Sequence, residues 1–171
     1  MGGPARYATL AAISIATVIV DQASKTNIMQ TMRLHESIPI IPDFLSLTYI
    51  RNPGAAFGLL ASSSHGFRLV FFGITSLFAL GLLAMIFLRL HRDDWIGQLS
   101  IAGILGGAIG NLLDRVRFGE VIDFLDFYVN GYHWPAFNVA DAAISVGVFF
   151  LILHFALDKK EEAGVLQQDR S

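Results

Sequence analysis

Apolar residues gather in four long runs separated by polar breaks: Tyr7 to about Val20, Phe67 to Leu88, Trp95 to about Leu113, and Ala136 to Leu157. A helix needs about 20 apolar residues to cross the hydrocarbon of a bilayer, so the pattern predicts four transmembrane helices. The first run is short. It reaches full length only if the helix continues through Asp21 and Gln22, which gives spans of about 7–22, 67–88, 95–113 and 136–157.

Two segments between the spans carry their own signals. Segment 24–66 is too polar to cross a membrane and too apolar for a plain linker. Its prolines at 39 and 42, the aromatic and branched run Phe44 to Ile50, and the turn signal Asn52-Pro53-Gly54 predict a small sheet or ribbon lying on the membrane. Segment 114–135 belongs to the same side, Arg89 to Asp94 makes a short polar turn, and the tail 158–171 is expected to end in about a dozen disordered residues. The fold class is an all-α membrane protein, four transmembrane helices with a small β-containing extracytoplasmic loop region, forming a single integral-membrane domain.

Composition agrees with the bilayer as solvent: 54% of residues are hydrophobic and 15% charged, with mean hydropathy +0.56. A net charge of -2 leaves no basic stripe for a phosphate backbone, so lipidic or peptidic partners are expected and nucleic acid is not. The absence of cysteine rules out disulfides and thiolate chemistry. Arg6 and the run behind it imitate a signal peptide, but Val20-Asp21-Gln22-Ala23-Ser24-Lys25 offers polar groups where a cleavage site wants small ones, so the first span is read as uncleaved.

Four spans bring both termini to one side. Arg6, Arg89, Arg92, Lys159 and Lys160 sit densely on the terminal side, and Lys25, Arg33, Arg51, Arg115 and Arg117 on the other; density favours cytoplasmic termini.

A carboxylate in a span costs about 2.5–3.5 kcal/mol at mid-helix and less near the interface, so each one needs a reason. Asp21, Asp114, Asp123, Asp126 and Asp141 all fall at span ends or between spans, on the side opposite the termini. Asn138 and Asp141 open the fourth span as a capping box, an arrangement that serves a helix start and also fixes a carboxylate's direction. On the third span, glycines at 103/107 and 106/110 have the spacing of close helix packing. Asn111, Asp114 and Arg115 then share one face; they read either as a local ion pair with Arg115 reaching headgroups, or with Asn111 and Arg115 holding a polar backbone or lipid head. Asp123 and Asp126 lie among large apolar side chains, which favour a neutral acid; two carboxyls that share a proton can activate a water on a peptide carbonyl. The alternative for both is a wet interfacial turn. The five histidines show no metal-ligand spacing, and a Ser-Lys pair at Ser24 and Lys25 is a minor alternative.

Five motifs in order among four spans resemble the bacterial lipoprotein signal peptidases, also called signal peptidase II. They are Asp21-Gln22-Ala23-Ser24-Lys25, Asn52-Pro53-Gly54-Ala55-Ala56-Phe57, Gly110-Asn111-Leu112-Leu113-Asp114-Arg115, Val121-Ile122-Asp123-Phe124, and Pro135-Ala136-Phe137-Asn138-Val139-Ala140-Asp141, so the resemblance covers nearly the whole chain. It implies an aspartic endopeptidase of the bacterial inner membrane, with the site near the periplasmic face, that cleaves a prolipoprotein before its diacylglyceryl-modified cysteine. Asp123 and Asp141 match the catalytic pair; Asn52, Asn111, Arg115 and Asn138 match polar residues around the substrate; Asp21, Lys25 and Asp114 match supports of the site. No metal or other cofactor is expected, and the partners implied are the lipid-modified substrate and membrane lipids, with the chain acting as a monomer.

Two other classes compete. A proton-coupled channel would place acids at several depths, whereas the middle of each span has none. A non-catalytic scaffold would use the glycine-rich face to hold a partner, and it predicts that losing either aspartate leaves function intact.

Overall fold

A computed structural model describes the backbone of residues 3–54 and 63–168. Among the described residues, four helices are long and apolar enough to cross a membrane: α1 (Gly3–Thr31), α2 (His65–Arg89), α3 (Trp95–Phe118) and α4 (Val139–Gln168). The strands are β1 (Ser37–Ile41), β2 (Leu45–Asn52), β3 (Val121–Val129) and β4 (Tyr132–His133), and they form one antiparallel sheet in the order β1-β2-β3-β4.

Helix α1 runs well past the expected end near residue 22, so the segment that was expected to begin as a loop at 24 is helical to Thr31. The reason is visible along one face. Arg6, Ser14, Asp21, Lys25 and Ile28 are all buried and recur at helical spacing, so Asp21 and Lys25, which interrupt the apolar run, point inward while Ile15, Ile19 and Val20 point outward. Helix α3 likewise continues beyond Leu113 to Phe118, where Gly119 takes a left-handed φ of 73° and its N–H donates to the Arg115 carbonyl. Helix α4 begins at Val139 and continues through Gln168, across the tail expected to be disordered; Lys, Glu, Ala, Leu and Gln, which dominate there, are good helix formers.

The expected ribbon in the first loop is present as β1 and β2. Strand β3 falls inside segment 114–135, which the sequence predicts as a loop: Val121 to Val129 pairs with β2, placing Ile50 opposite Asp123 and Asn52 opposite Val121. Asn130 and Gly131 then turn the chain with φ of 51° and 77°, the left-handed pair that a two-residue hairpin favours.

Helix α3 is central and packs against the other three helices. One apolar cluster, Leu83, Phe87, Leu90, Ile101, Ile104 and Leu151, joins α2, α3 and α4 near the terminal end. A second, Ile28, Met32, Tyr49, Ile122 and Phe124, fastens the sheet to the last turns of α1. The glycines on α3 serve different neighbours. A Cβ on Gly106 would lie 2.6 Å from Thr17 of α1, one on Gly107 would strike the Ala140 carbonyl of α4, and one on Gly110 would lie 2.6 Å from the Asp21 carboxylate, whereas Gly103 has room.

Candidate active site

The site assembles where α4 begins. Asp141 donates its backbone N–H to Asn138 Oδ1 at 2.9 Å, and Asp141 Oδ2 accepts from the Asn138 N–H at 3.3 Å, the reciprocal capping box expected from the sequence. Asn138 is fully buried, and its Nδ2 donates onward to Asp123 Oδ1 at 2.8 Å, with the Ile122 carbonyl and Asn111 Oδ1 each 3.2 Å away. One amide side chain therefore ties the start of α4, which carries Asp141, to β3, which carries Asp123.

Each carboxyl has a further amide donor. Asp123 Oδ2 accepts from Asn52 Nδ2 at 3.1 Å, and Asn52 is held in that pose because its Oδ1 takes the Gly54 N–H at 3.0 Å. Asp141 Oδ1 accepts from Asn111 Nδ2 at 2.8 Å. The amide of Asn111 cannot flip at low cost: its Oδ1 accepts from Lys25 Nζ at 3.0 Å, which leaves Nδ2 facing Asp141.

Lys25 anchors a supporting layer. Its ammonium reaches Asp21 Oδ2 and Asp114 Oδ2, both at 2.8 Å, so its three protons meet three oxygens. Asp21 Oδ1 accepts the Ala140 N–H at 2.9 Å, satisfying a backbone donor of the first turn of α4, and Asp114 Oδ2 accepts the Ile122 N–H at 3.2 Å beside Asp123. The two supporting carboxylates thus hold the residues directly preceding the two site carboxyls.

Gln22, not among the site residues expected from the sequence, completes this layer by donating to Asp114 Oδ1 at 2.9 Å and to Asp21 Oδ2 at 3.1 Å. Its position between Asp21 and Lys25 in the first motif was the available signal.

Asp123 is 3% exposed; that burial, reinforced by the charge of Asp141, pushes its carboxyl up to about 7, against the pull of the Asn52 and Asn138 hydrogen bonds and the Lys25 charge. Asp123 and Asp141 line one cleft of about 640 Å³, with Asn52, Asn111 and Arg115 on its polar side and Phe137, Ile144 and Val146 on its apolar side.

Arg115 forms no ion pair with Asp114, which the Lys25 ammonium takes instead; its guanidinium lies 4.4 Å from the Phe72 ring centre and faces the cleft. Asp126 stands apart, 2.9 Å from His133 Nδ1. Ser24 donates to the Asp21 carbonyl at 2.8 Å while Lys25 is fully engaged, so a Ser-Lys pair has no geometry. Ala55, Ala56 and Phe57 of the second motif lie outside the described residues. Among the described residues, no group of three or more His, Cys, Asp or Glu side chains is set to hold a metal ion.

Fold and site together define a polytopic membrane protein with two carboxyl groups at one cleft, braced by buried amides. The signal peptidase (SPase) II family matches residues 13–157, and the chain belongs to that family of proteases. It is 49% identical over 149 residues to the lipoprotein signal peptidase of Syntrophotalea carbinolica, covering 87% of this chain and 91% of that one. With the lipoprotein signal peptidase of Geobacter sulfurreducens the identity is 48% over 157 residues, 92% of this chain and 97% of that one. A bacterial membrane enzyme solved by the in meso method at 2.3 Å superposes with a TM-score of 0.81 at 36% identity, covering 90% of this chain and 91% of the other.

Proposed function

We propose that the chain is an aspartic endopeptidase that removes the signal peptide from diacylglyceryl-modified prolipoproteins, cleaving before the lipidated cysteine, with Asp123 and Asp141 as the catalytic pair. The reading rests on one observation above all: Asn138 touches both carboxyls, and both line the same cleft.

In this mechanism Asp141 acts as the base. It accepts from the Asn111 amide and the Asn138 N–H, and it sits in the first turn of α4, where the helix dipole favours an anion. Asp123, raised to about 7, holds the shared proton. A water between them gives its proton to Asp141 as its oxygen attacks the scissile carbonyl carbon, and Asp123 protonates the carbonyl oxygen. As the tetrahedral intermediate collapses, the C–N bond breaks, Asp141 passes its proton to the leaving amine and Asp123 recovers one from the hydroxyl.

Arg115, Asn52, Asn111 and Asn138 hold the peptide and the glyceryl ester region. Ile144 and Val146 extend the cleft along α4 toward its outer face, a path suited to acyl chains. In this reading the protein is a monomer of the bacterial inner membrane with cytoplasmic termini, and the site opens near the periplasmic face.

The test uses purified protein in detergent with a diacylglyceryl-modified prolipoprotein. Asp123→Asn and Asp141→Asn should each lower cleavage by about 10³-fold or more while leaving helix content unchanged, and a chelator should not inhibit the wild type. Cleavage retained in either variant removes that residue from the pair.

A further inference from the structure

The opposite end of the bundle holds a second built feature that the peptidase reading leaves unused. Arg6 on α1 is only 5% exposed, and among the described residues no carboxylate pairs with it. Its guanidinium donates to the Phe87 carbonyl at 2.8 Å and reaches the Leu90 carbonyl at 3.5 Å, and it lies 4.4 Å from the centre of the Phe87 ring. Its Nε–H is buried without a hydrogen-bond partner. Capping the end of α2 accounts for two of these contacts, but carbonyls at a helix end supply only about half a unit of negative charge. A buried cation with a spare donor calls for a full counter-charge.

The surroundings repeat that demand. Arg6 borders a cavity of about 440 Å³ shared with Arg89, His91 and Arg92, the two arginines exposed beside it. Three guanidiniums around one space repel one another unless an anion enters. Asp94 is engaged elsewhere, its Oδ2 2.8 Å from His154 Nε2 and its Oδ1 accepting the Gly97 N–H, and Asp93 is exposed at the rim, 3.8 Å from His91. Tyr7 and Leu88 form the apolar wall, continuous with lipid-facing surface, so the cavity is polar within and apolar where acyl chains would run.

We infer that this cavity binds a phosphate-bearing anion, the headgroup of an acidic membrane phospholipid, between the start of α1 and the end of α2. Fork-shaped guanidiniums match phosphate oxygens in pairs, and basic pockets between membrane helices are suited to such headgroups. This site lies at the far end of the helices from Asp123 and Asp141 and does not depend on their chemistry.

The experiment is native mass spectrometry of the full chain released from micelles containing equal amounts of phosphatidylglycerol and phosphatidylcholine. The wild type should retain one phosphatidylglycerol in preference to phosphatidylcholine. The Arg89→Gln/Arg92→Gln variant, altered only at exposed positions, should lose that preference by about tenfold or more, while Arg33→Gln, just beyond the other end of α1, should not. A parallel arm adds excess inorganic phosphate: displacement of the lipid identifies the phosphate anion as sufficient, and retention identifies the anchored headgroup as the ligand. Equal retention of both lipids by the wild type, or an unchanged preference in the double variant, overturns the proposal.

Discussion

Lys25 brings a full positive charge into a place that is 1% exposed, and the three oxygens around it are what make that tolerable. Removing the ammonium strands two carboxylates, Asp21 and Asp114, facing each other without a counter-charge. Lys25→Met should therefore destabilise the fold by about 3–5 kcal/mol, read as an earlier loss of helicity on titration with a denaturing detergent. Adding Asp114→Asn should recover part of the loss; equal stability of wild type and Lys25→Met would mean the ammonium is not integral to the fold. Asp123 makes the opposite kind of statement. Its carboxyl rises from 3.8 to about 7 in the folded chain, so between those values the native state binds the proton that the unfolded chain has released. Stability from this group is present at low pH and lost as pH rises through about 7. Asp123→Asn abolishes that dependence, so the stability of the variant relative to wild type should climb between pH 4 and 7 and level off above it, as measured by unfolding across a pH series. A gap that does not change with pH would show that Asp123 titrates normally.

Helix α3 meets α1 and α4 at different glycines, the 106/110 pair lying nearest α1 and the 103/107 pair nearest α4. Gly107→Ala must push against the Ala140 carbonyl, backbone that cannot rotate away, and should cost about 1–3 kcal/mol; Gly103→Ala, whose nearest neighbour would be the Ala143 carbonyl at 3.6 Å, should cost less than about 1 kcal/mol. Comparing the two variants in the same unfolding assay separates contact from propensity, since alanine favours helix at both positions. The spacing in the sequence announced close packing but not which helix each glycine serves, because two neighbours on adjacent faces leave the same repeat. Helices α2, α3 and α4 were legible for a simple reason: lipid-facing side chains must be apolar whatever they pack against. The end of α1 was not, because a buried Asp21 and Lys25 interrupt the run just as an interfacial break would. Strand β3 was illegible from alternation, since Val121, Ile122, Asp123 and Phe124 are all buried and both faces of the strand are covered. Its hairpin carried a clear sign in Asn130-Gly131, a pair whose left-handed preference marks such turns. The capping box of Asn138 and Asp141 was legible because it is local. That the same Asn138 also holds Asp123, across 15 residues of sequence, follows only from the sheet.

At the scale of the whole molecule the usual arrangement is inverted, with polar residues such as Asp21, Lys25, Asn111, Asp114 and Asn138 buried and large apolar side chains along α2 exposed, among them Phe67, Val70, Ile74, Leu77 and Phe78. A membrane satisfies both requirements at once, because hydrocarbon covers the outer surface and drives polar groups to find partners within. The four helices also sort the chain's features between two ends. The turn between α2 and α3 lies with the start of α1, where Arg6 reaches Phe87 and Leu90, while the sheet, the cleft and both site carboxyls lie at the other end. The proposed orientation, termini in the cytoplasm, makes these ends chemically distinguishable. With no native cysteine in the chain, single cysteines report position without background. Tyr132, 85% exposed on β4, and Asp93, 73% exposed in the α2–α3 turn, are suitable places for them. In intact spheroplasts a membrane-impermeant maleimide should label Tyr132→Cys and spare Asp93→Cys, which should react only after permeabilisation. Labelling in the reverse order would put the cleft on the cytoplasmic side, where a secreted lipoprotein precursor could not present its lipidated cysteine to it, and the proposed substrate would fall with the orientation.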